Sequence, residues 1–451
     1  MLRVTLIHPC IGKRVGERRG LRTWQMQPLW AAAVAAQTPP GVEIRFYDDR
    51  LDNIPFDEPT DLVGISVETY TARRSYQIAS EYRSRGVPVV MGGIHATLCP
   101  DEVAYYAESV VTGCAEGVWQ ELIGDLERGV LKKFYHGGHA PTDNAWRYDR
   151  SIFSGKRYLP VQLIEFGRGC RLSCEFCAVQ TASHRTYSGR PSHQALEEVA
   201  AASSGASRNQ LIFFVDDNLA CEPDRLKQFL RDLIPMRVRW VGQAGINVAH
   251  DPEMLDLIVR SGCRCLLIGF ESLKPTNLKE MSKPINEARG GIEQAVRDLR
   301  KAGVPVYGTF VFGFDDDLPD DFEHTVAFSI EHGFLLAAFA HLMPFPGTAL
   351  FRRLAAERRL LNESWWLDPG YSYNSVAFQP LHLSPDELRR HCLASRRQFF
   401  SWLSMVRRSL AAGFHQHEYW VVNLLHRVEL SSRNGHPLGD QSWNKPLLPS
   451  E

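Results

Sequence analysis

The chain has 451 residues, 44% apolar and 23% charged, with a formal net charge of −1, a globular composition long enough for two or three domains. No basic tail or like-charge block argues for nucleic acid or an anionic membrane as partner, and no apolar run approaches the ~20 residues needed to span a bilayer. The start, MLRVTLIHPCIGKR, lacks the features of a signal peptide, and ten cysteines are too sparse for a disulfide scaffold, so free thiols in a reducing cytoplasm are expected.

In chain order, strand and helix signals alternate from the start. Strands are predicted over 3–9, 42–48, 61–69, 87–93 and 109–117, and helices over 28–37, 72–86 and 118–128. Strands separated by helix-length segments imply a parallel, doubly wound sheet whose ligands sit beyond the C-terminal strand ends. Residues 130–158 are polar and weakly periodic and read as a connector. From about 160 the alternation resumes, with strands over 161–167, 209–217, 237–245, 263–272, 305–314 and 336–345. Helices are predicted between them over 193–204, 223–233, 252–261, 286–302 and 319–332. Six such units predict a parallel barrel or partial barrel with its chemistry at the C-terminal strand ends. Beyond 349, one long helix over 384–410 starts at a capping box of Ser384 and Glu387, a second covers 415–427, and the turn-rich tail is expected to pack loosely. The predicted domains are 1–140 (Rossmann-like), 141–159 (linker), 160–350 (barrel) and 351–451 (helical extension and tail).

The stretch GRGCRLSCEFCAVQ, 167–180, gathers Cys170, Cys174 and Cys177 in a loop just after a predicted strand. Buried thiols are the plainer reading, but a loop rich in glycine and arginine is a poor place for core packing. A structural zinc normally takes four protein ligands, and no fourth with matching spacing lies nearby. Cys263 and Cys265 are set aside because their side chains are expected to leave the strand on opposite faces. Three thiolates on one loop suit a [4Fe–4S] cluster with one iron left open.

This C-x3-C-x2-C spacing, with an aromatic, Phe176, before the third cysteine, resembles the signature of the radical S-adenosylmethionine (SAM) enzymes. The resemblance implies a partial (β/α)6 barrel over about 160–350, with SAM completing the open iron and its reductive cleavage yielding a 5′-deoxyadenosyl radical. It also implies SAM contacts at Phe176, Asp216, Asp217, Asn218, Glu271, Phe312 and Gly313. The plainer readings are helix capping for Asp216, Asp217 and Asn218 and an internal salt bridge for Glu271. Gln243, Asn247 and His341 are equally readable as structural.

A Rossmann-like domain directly ahead of such a barrel resembles the cobalamin-binding class of the same family. That likeness places cobalamin contacts at Thr69, Tyr70, Gly92, Gly93 and His95. The D-x-H-x-x-G motif of cobalt-ligating histidines is absent, so a domain kept without cobalamin stays an alternative. The resemblance implies a methyltransferase acting on carbon or phosphorus of a small-molecule biosynthetic intermediate, with a ferredoxin or flavodoxin as electron donor. Transfer of the 3-amino-3-carboxypropyl group of SAM, radical rearrangement or cyclisation, and a non-enzymatic cobalamin or Fe–S carrier or sensor are the rivals. Trp365, Trp366, Tyr371 and Tyr373 are read either as a pocket wall or as packing between domains.

Overall fold

Runs of Val, Ile and Leu bounded by glycine or aspartate build the first sheet. Its strands are β1 (Leu2–His8), β2 (Val42–Asp48), β3 (Leu62–Ser66), β4 (Val89–Gly92), β5 (Ser109–Thr112) and β6 (Phe134–His136). All pair in parallel, in the order β2-β1-β3-β4-β5-β6. The computed structural model describes residues 1–17, 25–139, 141, 146–204, 210–283, 290–411, 415–430 and 434–447. Both faces of the sheet are buried under helices that include Leu29–Gln37, Ala72–Arg83 and Trp119–Glu127. The strand order reverses between β1 and β3, and a crevice opens beyond the strand ends at such a switch point. Strand β6 corrects the reading of 130–158 as connector throughout: its three residues are too few to show alternation.

The second sheet begins at β7 (Val161–Ile164). A short antiparallel hairpin, β8 (Gly167–Gly169) and β9 (Tyr187–Gly189), follows outside it. The sheet continues as β10 (Leu211–Phe214), β11 (Arg239–Ala244), β12 (Cys263–Glu271), β13 (Val306–Phe312) and β14 (Leu336–His341). These six strands pair in parallel in sequence order, with β7 and β14 as unpaired edges and helices between successive strands. The result is an open six-stranded barrel. Residues 286–289 of the helix expected over 286–302 and 142–145 of the 141–159 linker lie outside the described residues. Cys263 and Cys265 are two positions apart, but the β11–β12 register shifts between them, so simple alternation does not set their faces. They are removed from the cysteine loop because they pair with Trp240 and Val241 at the start of β12, away from its C-terminal end.

The single helix expected over 384–410 is two, Pro385–Phe399 and Trp402–Ala411. Phe399 and Phe400 are both buried, and successive residues on a straight helix point about 100° apart. The chain breaks to bury both, and Ser401 Oγ accepts from Ser404 N at 3.3 Å to restart the helix. The tail is not loose either. Leu438 is fully buried, and the 436–441 segment is bonded to the first domain through Lys13 and Gln77.

Candidate active site

The cysteine loop leaves β8 and returns as β9, so the hairpin ties its two ends. Gly169 sits at φ 88°, and a Cβ there would stand 2.3 Å from the Thr186 carbonyl oxygen; only glycine lets this hairpin close. Beyond it, Cys177 starts the helix Ala178–Ala182. Gln180 Nε2 donates to the Cys174 carbonyl at 3.3 Å, and Thr181 Oγ1 donates to that of Cys177 at 3.1 Å. Glu175 N bonds to Met281 O at 3.2 Å, pinning the loop to a segment past β12.

Cys170, Cys174, Phe176 and Cys177 line one cleft of about 160 Å³, and all ten cysteines are free. The opposite wall comes from the ends of β10 to β13: Asp217, Asn218, Gln243, Gly245, Gly269, Glu271 and Thr309, with Lys283. Among the described residues no three His, Cys, Asp or Glu side chains stand close enough to grip a single ion. The three thiols surround a space rather than a point, and a thiolate-bound cluster is the group that donor set fits. Hydrogen bonding from Cys221, outweighing burial and assisted by Leu172 N and Asn218, lowers the Cys170 thiol pKa. Burial pushes those of Cys174, to about 12, and Cys177 up.

The predicted SAM contacts divide. Asp217 lines the cleft while its Oδ2 accepts from Gly169 N at 3.1 Å. Asn218 also lines it, and its Oδ1 accepts from Ala220 N at 3.1 Å and Gly245 N at 3.0 Å. Its capping and cleft positions are therefore compatible. Asp216 is turned away: its Oδ2 accepts from Phe166 N at 2.9 Å, tying the β7 exit to β10, and burial holds its carboxyl well above the usual range. Glu271 reaches the cleft through a bulge, where the β12–β13 register shifts and its own φ is 64°. Its Oε1 pairs with Lys283 Nζ at 2.7 Å.

Phe312 and Gly313 are corrections. Alternate residues of β13 face opposite sides, and Phe312 points outward to stack on Phe322 at 4.1 Å. Gly313 packs beneath Phe378 and Leu388 and donates to Asp317 Oδ2 at 2.7 Å. Thr309 is the β13 residue at the cleft. Gln243 lines it and Asn247 does not. His341 turns into packing, with Nδ1 3.0 Å from Leu342 O and Nε2 3.3 Å from Asn374 O. Lys283, Thr309 and Gly245 were not foreseen; a lysine three residues past the helix Pro275–Glu280 has no local signal that it will fold back over Glu271.

A second cavity, of about 310 Å³, lies at the switch point of the first sheet. Its walls are apolar (Leu6, Trp30, Val34, Val90, Val111, Trp119) and cut back by Gly64, Gly92, Gly93 and Gly113. A Cβ on Gly93, at φ 98°, would meet Val67 O at 2.8 Å. Such a flat, apolar, glycine-walled slot fits the base of a nucleotide-bearing cofactor. Gly92 and Gly93 stand where expected; Thr69, Tyr70 and His95 do not. His95 is fully buried, its Nδ1 3.2 Å from Thr69 Oγ1 and its Nε2 3.1 Å from Glu102 Oε1. Tyr70 packs on Phe345, Trp365 and Tyr373. Trp365, Trp366 and Tyr371 belong to the same buried cluster, so these aromatics join domains.

The two cavities adjoin the same stretch of chain. Arg168, two residues before Cys170, lines the second cavity and donates to Glu165 Oε1 at 2.8 Å, Glu116 Oε1 at 3.0 Å and Cys114 Sγ at 3.1 Å. Two carboxylates from different sheets thus hold one guanidinium beside the cysteine loop.

A thiol-lined cleft at the strand ends of an open barrel defines an enzyme built to carry a cluster and a small ligand on it. Residues 164–329 match the Radical SAM superfamily. Bacteriochlorophyllide d C-12(1)-methyltransferase of Chlorobaculum tepidum is 30% identical over 408 residues, 88% of this chain and 87% of that one. The C-8(2)-methyltransferase of the same organism is 26% identical over 404 residues, 85% of this chain and 88% of that one. The chain belongs to the radical SAM superfamily, among its methyltransferases. In fold it is similar to the radical SAM methyltransferase TsrM of Kitasatospora setae, solved with cobalamin and a [4Fe–4S] cluster bound, at a TM-score of 0.65 and 17% identity over 95% of this chain and 99% of that one.

Proposed function

We propose that this enzyme methylates a carbon of a small-molecule biosynthetic intermediate, with a [4Fe–4S] cluster, SAM and cobalamin as its cofactors. The observation that carries the reading is that one stretch of chain serves both cavities, with Arg168 lining the glycine-walled one and Cys170, two residues on, lining the thiol cleft. In this reading Cys170, Cys174 and Cys177 hold the cluster, and Asp217, Asn218, Gln243, Glu271, Lys283 and Thr309 orient SAM. Ser66, Gly92 and Gly93 border the cobalamin base, and no histidine is among the residues lining that cavity. When bound, the cluster and SAM supply a 5′-deoxyadenosyl radical and cobalamin supplies the methyl group.

The protein's own part is positional. The bulge at Glu271 turns a carboxylate into the cleft, and Lys283 fixes its direction. Phe176 covers one side of the cleft and limits water there. Ferredoxin or flavodoxin is the expected donor, in the cytoplasm. The two curated relatives make bacteriochlorophyllide d the first substrate to try.

The test is anaerobic reconstitution with SAM, cobalamin and a strong reductant, with products read by mass spectrometry. 5′-Deoxyadenosine together with S-adenosylhomocysteine is expected. 5′-Methylthioadenosine without deoxyadenosine would replace this reading with aminocarboxypropyl transfer.

A further inference from the structure

The helices Trp402–Ala411 and Gln416–Glu429 bury polar side chains among apolar ones. The faces they press on the barrel carry Met405 and Tyr419, both fully buried, beside a polar group. Arg408 is fully buried there, donating to Phe334 O at 2.9 Å, Leu335 O at 3.0 Å, Phe399 O at 3.1 Å and Asn423 Oδ1 at 2.9 Å. Ser404 and Asn423 are buried beside it. The outward faces are apolar. Trp402, Leu403, Val406 and Leu410 follow one another at helical spacing on the first helix, with Leu403 81% and Leu410 83% exposed. Val421, Leu424, Leu425 and Val428 do the same on the second, with Val428 72% exposed.

The two helices form one antiparallel unit. Tyr419 OH donates to Met405 O at 2.6 Å, Gln416 Nε2 donates to Ser409 O at 3.2 Å, and the Arg427 guanidinium lies 5.1 Å from the Trp402 ring centre. Their apolar stripes therefore merge into one face, and a contiguous exposed apolar face marks a contact surface. The unit closes the start of the barrel strands, since Arg408 bonds the residues just before β14 and Glu418 pairs with Arg239 at the start of β11. It lies at the end opposite the cysteine cleft, so the face is no part of the substrate site.

We propose that this face seats on the surface of a lipid bilayer carrying anionic lipids. Charge decides the occupant. Residues 396–430 hold five arginines against two glutamates in a chain of net charge −1; Arg408 is buried against the barrel and Arg396 donates to Phe339 O at 2.7 Å, which leaves three arginines for the surface. Arg397 and Arg407 are exposed, Arg427 borders Trp402, and Glu418 is already answered by Arg239. An apolar stripe flanked by arginine, with a tryptophan at its edge, is what an interfacial helix presents to headgroups and the first acyl carbons. A second copy docked about a two-fold axis would bring the same arginines against one another. Among the described residues no helix is long and apolar enough to cross a membrane, so the attachment is to one leaflet. It reverses the expectation from composition that no membrane is a partner: the stripe is invisible until the fold shows which face is buried. The cysteine cleft then opens away from the bilayer.

The full chain is floated with vesicles of phosphatidylcholine alone or mixed with phosphatidylglycerol. The protein is expected to float with the anionic vesicles and to be released at about 0.5 M salt, where screening is nearly complete. Leu403→Ser with Leu410→Ser and Leu425→Ser is expected to cut the bound fraction about tenfold or more, with circular dichroism and iron incorporation unchanged. A chain that floats with neither vesicle overturns the proposal. So does binding that the triple variant leaves intact, or a dimer by light scattering that the triple variant makes monomeric while vesicles are ignored.

Discussion

Lys283 Nζ lies 2.7 Å from Glu271 Oε1 and 2.8 Å from the Gly269 carbonyl oxygen, with both side chains buried at the wall of the cysteine cleft. A buried carboxylate deprived of its cation costs about 3–5 kcal/mol. Lys283→Ala is therefore expected to weaken SAM binding about 10–100-fold, while the protein still takes up iron and shows the cluster's absorbance. Glu271→Gln with Lys283→Met removes both charges together. It is expected to recover the thermal stability lost in the single variant but not the SAM affinity. Equal SAM affinity in Lys283→Ala and the parent would show that the pair merely braces the bulge.

Gly92 separates the two cavities experimentally. A Cβ there meets nothing closer than Val111 at 3.5 Å, so the backbone tolerates a side chain that then projects along the cavity wall. Gly92→Val is expected to lower cobalamin retention on gel filtration by about tenfold, in line with the about 1–3 kcal/mol cost of overpacking. Cluster assembly and SAM binding remain. Retention of cobalamin at the parental level would remove this cavity from the proposed site.

How much of this could be read beforehand depended on range. The cysteines declare themselves within eight residues because the chemistry needs three thiols on one loop. The barrel declares itself through repeated strand and helix signals. Strand parity is where local reading failed: Phe312 and Gly313 were expected at SAM, but the pleat turns Thr309 inward and Phe312 outward to Phe322. Asp216, Asp217 and Asn218 are consecutive and look alike, yet only a fold shows Asp216 bound to Phe166 N. His95 follows two glycines and reads as a loop residue open to a ligand. Its burial comes from Glu102 and Trp366, the latter 271 residues further on.

Gln77 brackets the returning tail with both ends of its amide. Its Nε2 donates to Asp440 O at 3.1 Å, and its Oε1 accepts from Asp440 N at 2.7 Å. Lys13 N bonds to Gly439 O at 3.1 Å, and a Cβ on Gly12 would stand 2.0 Å from Pro437 O. Gln77→Ala leaves two backbone groups without partners and is expected to cost about 1–3 kcal/mol. Gly12→Ala is expected to free the tail outright. Limited proteolysis should then cut near 434–447 in Gly12→Ala well before it cuts the parent. Equal cleavage rates would mean that the tail contributes no restraint.

The same tail touches a buried charge cluster of the first domain. Asp49, fully buried, takes Lys13 Nζ at 2.8 Å on Oδ1, and Arg74 at 2.8 Å on Oδ2 and 3.1 Å on Oδ1. Arg74 also lies 3.6 Å from Asp440. Burial alone would raise the Asp49 pKa, but Arg74 and Lys13 outweigh it and hold the carboxyl well below its usual range. Because the folded value is below the unfolded one of about 3.9, the stabilisation is fully present above about pH 4–5. It is lost progressively as the pH falls towards the folded value. Asp49→Asn keeps the shape but leaves two buried cations without their anion, at a cost of about 3–5 kcal/mol. The gap in urea midpoint between parent and Asp49→Asn is expected to stay constant from about pH 8 down to about pH 5 and to narrow below about pH 4. A gap that persisted undiminished at about pH 3 would mean that Asp49 acts through its hydrogen bonds, including that from Cys10 Sγ at 2.8 Å, and not through its charge.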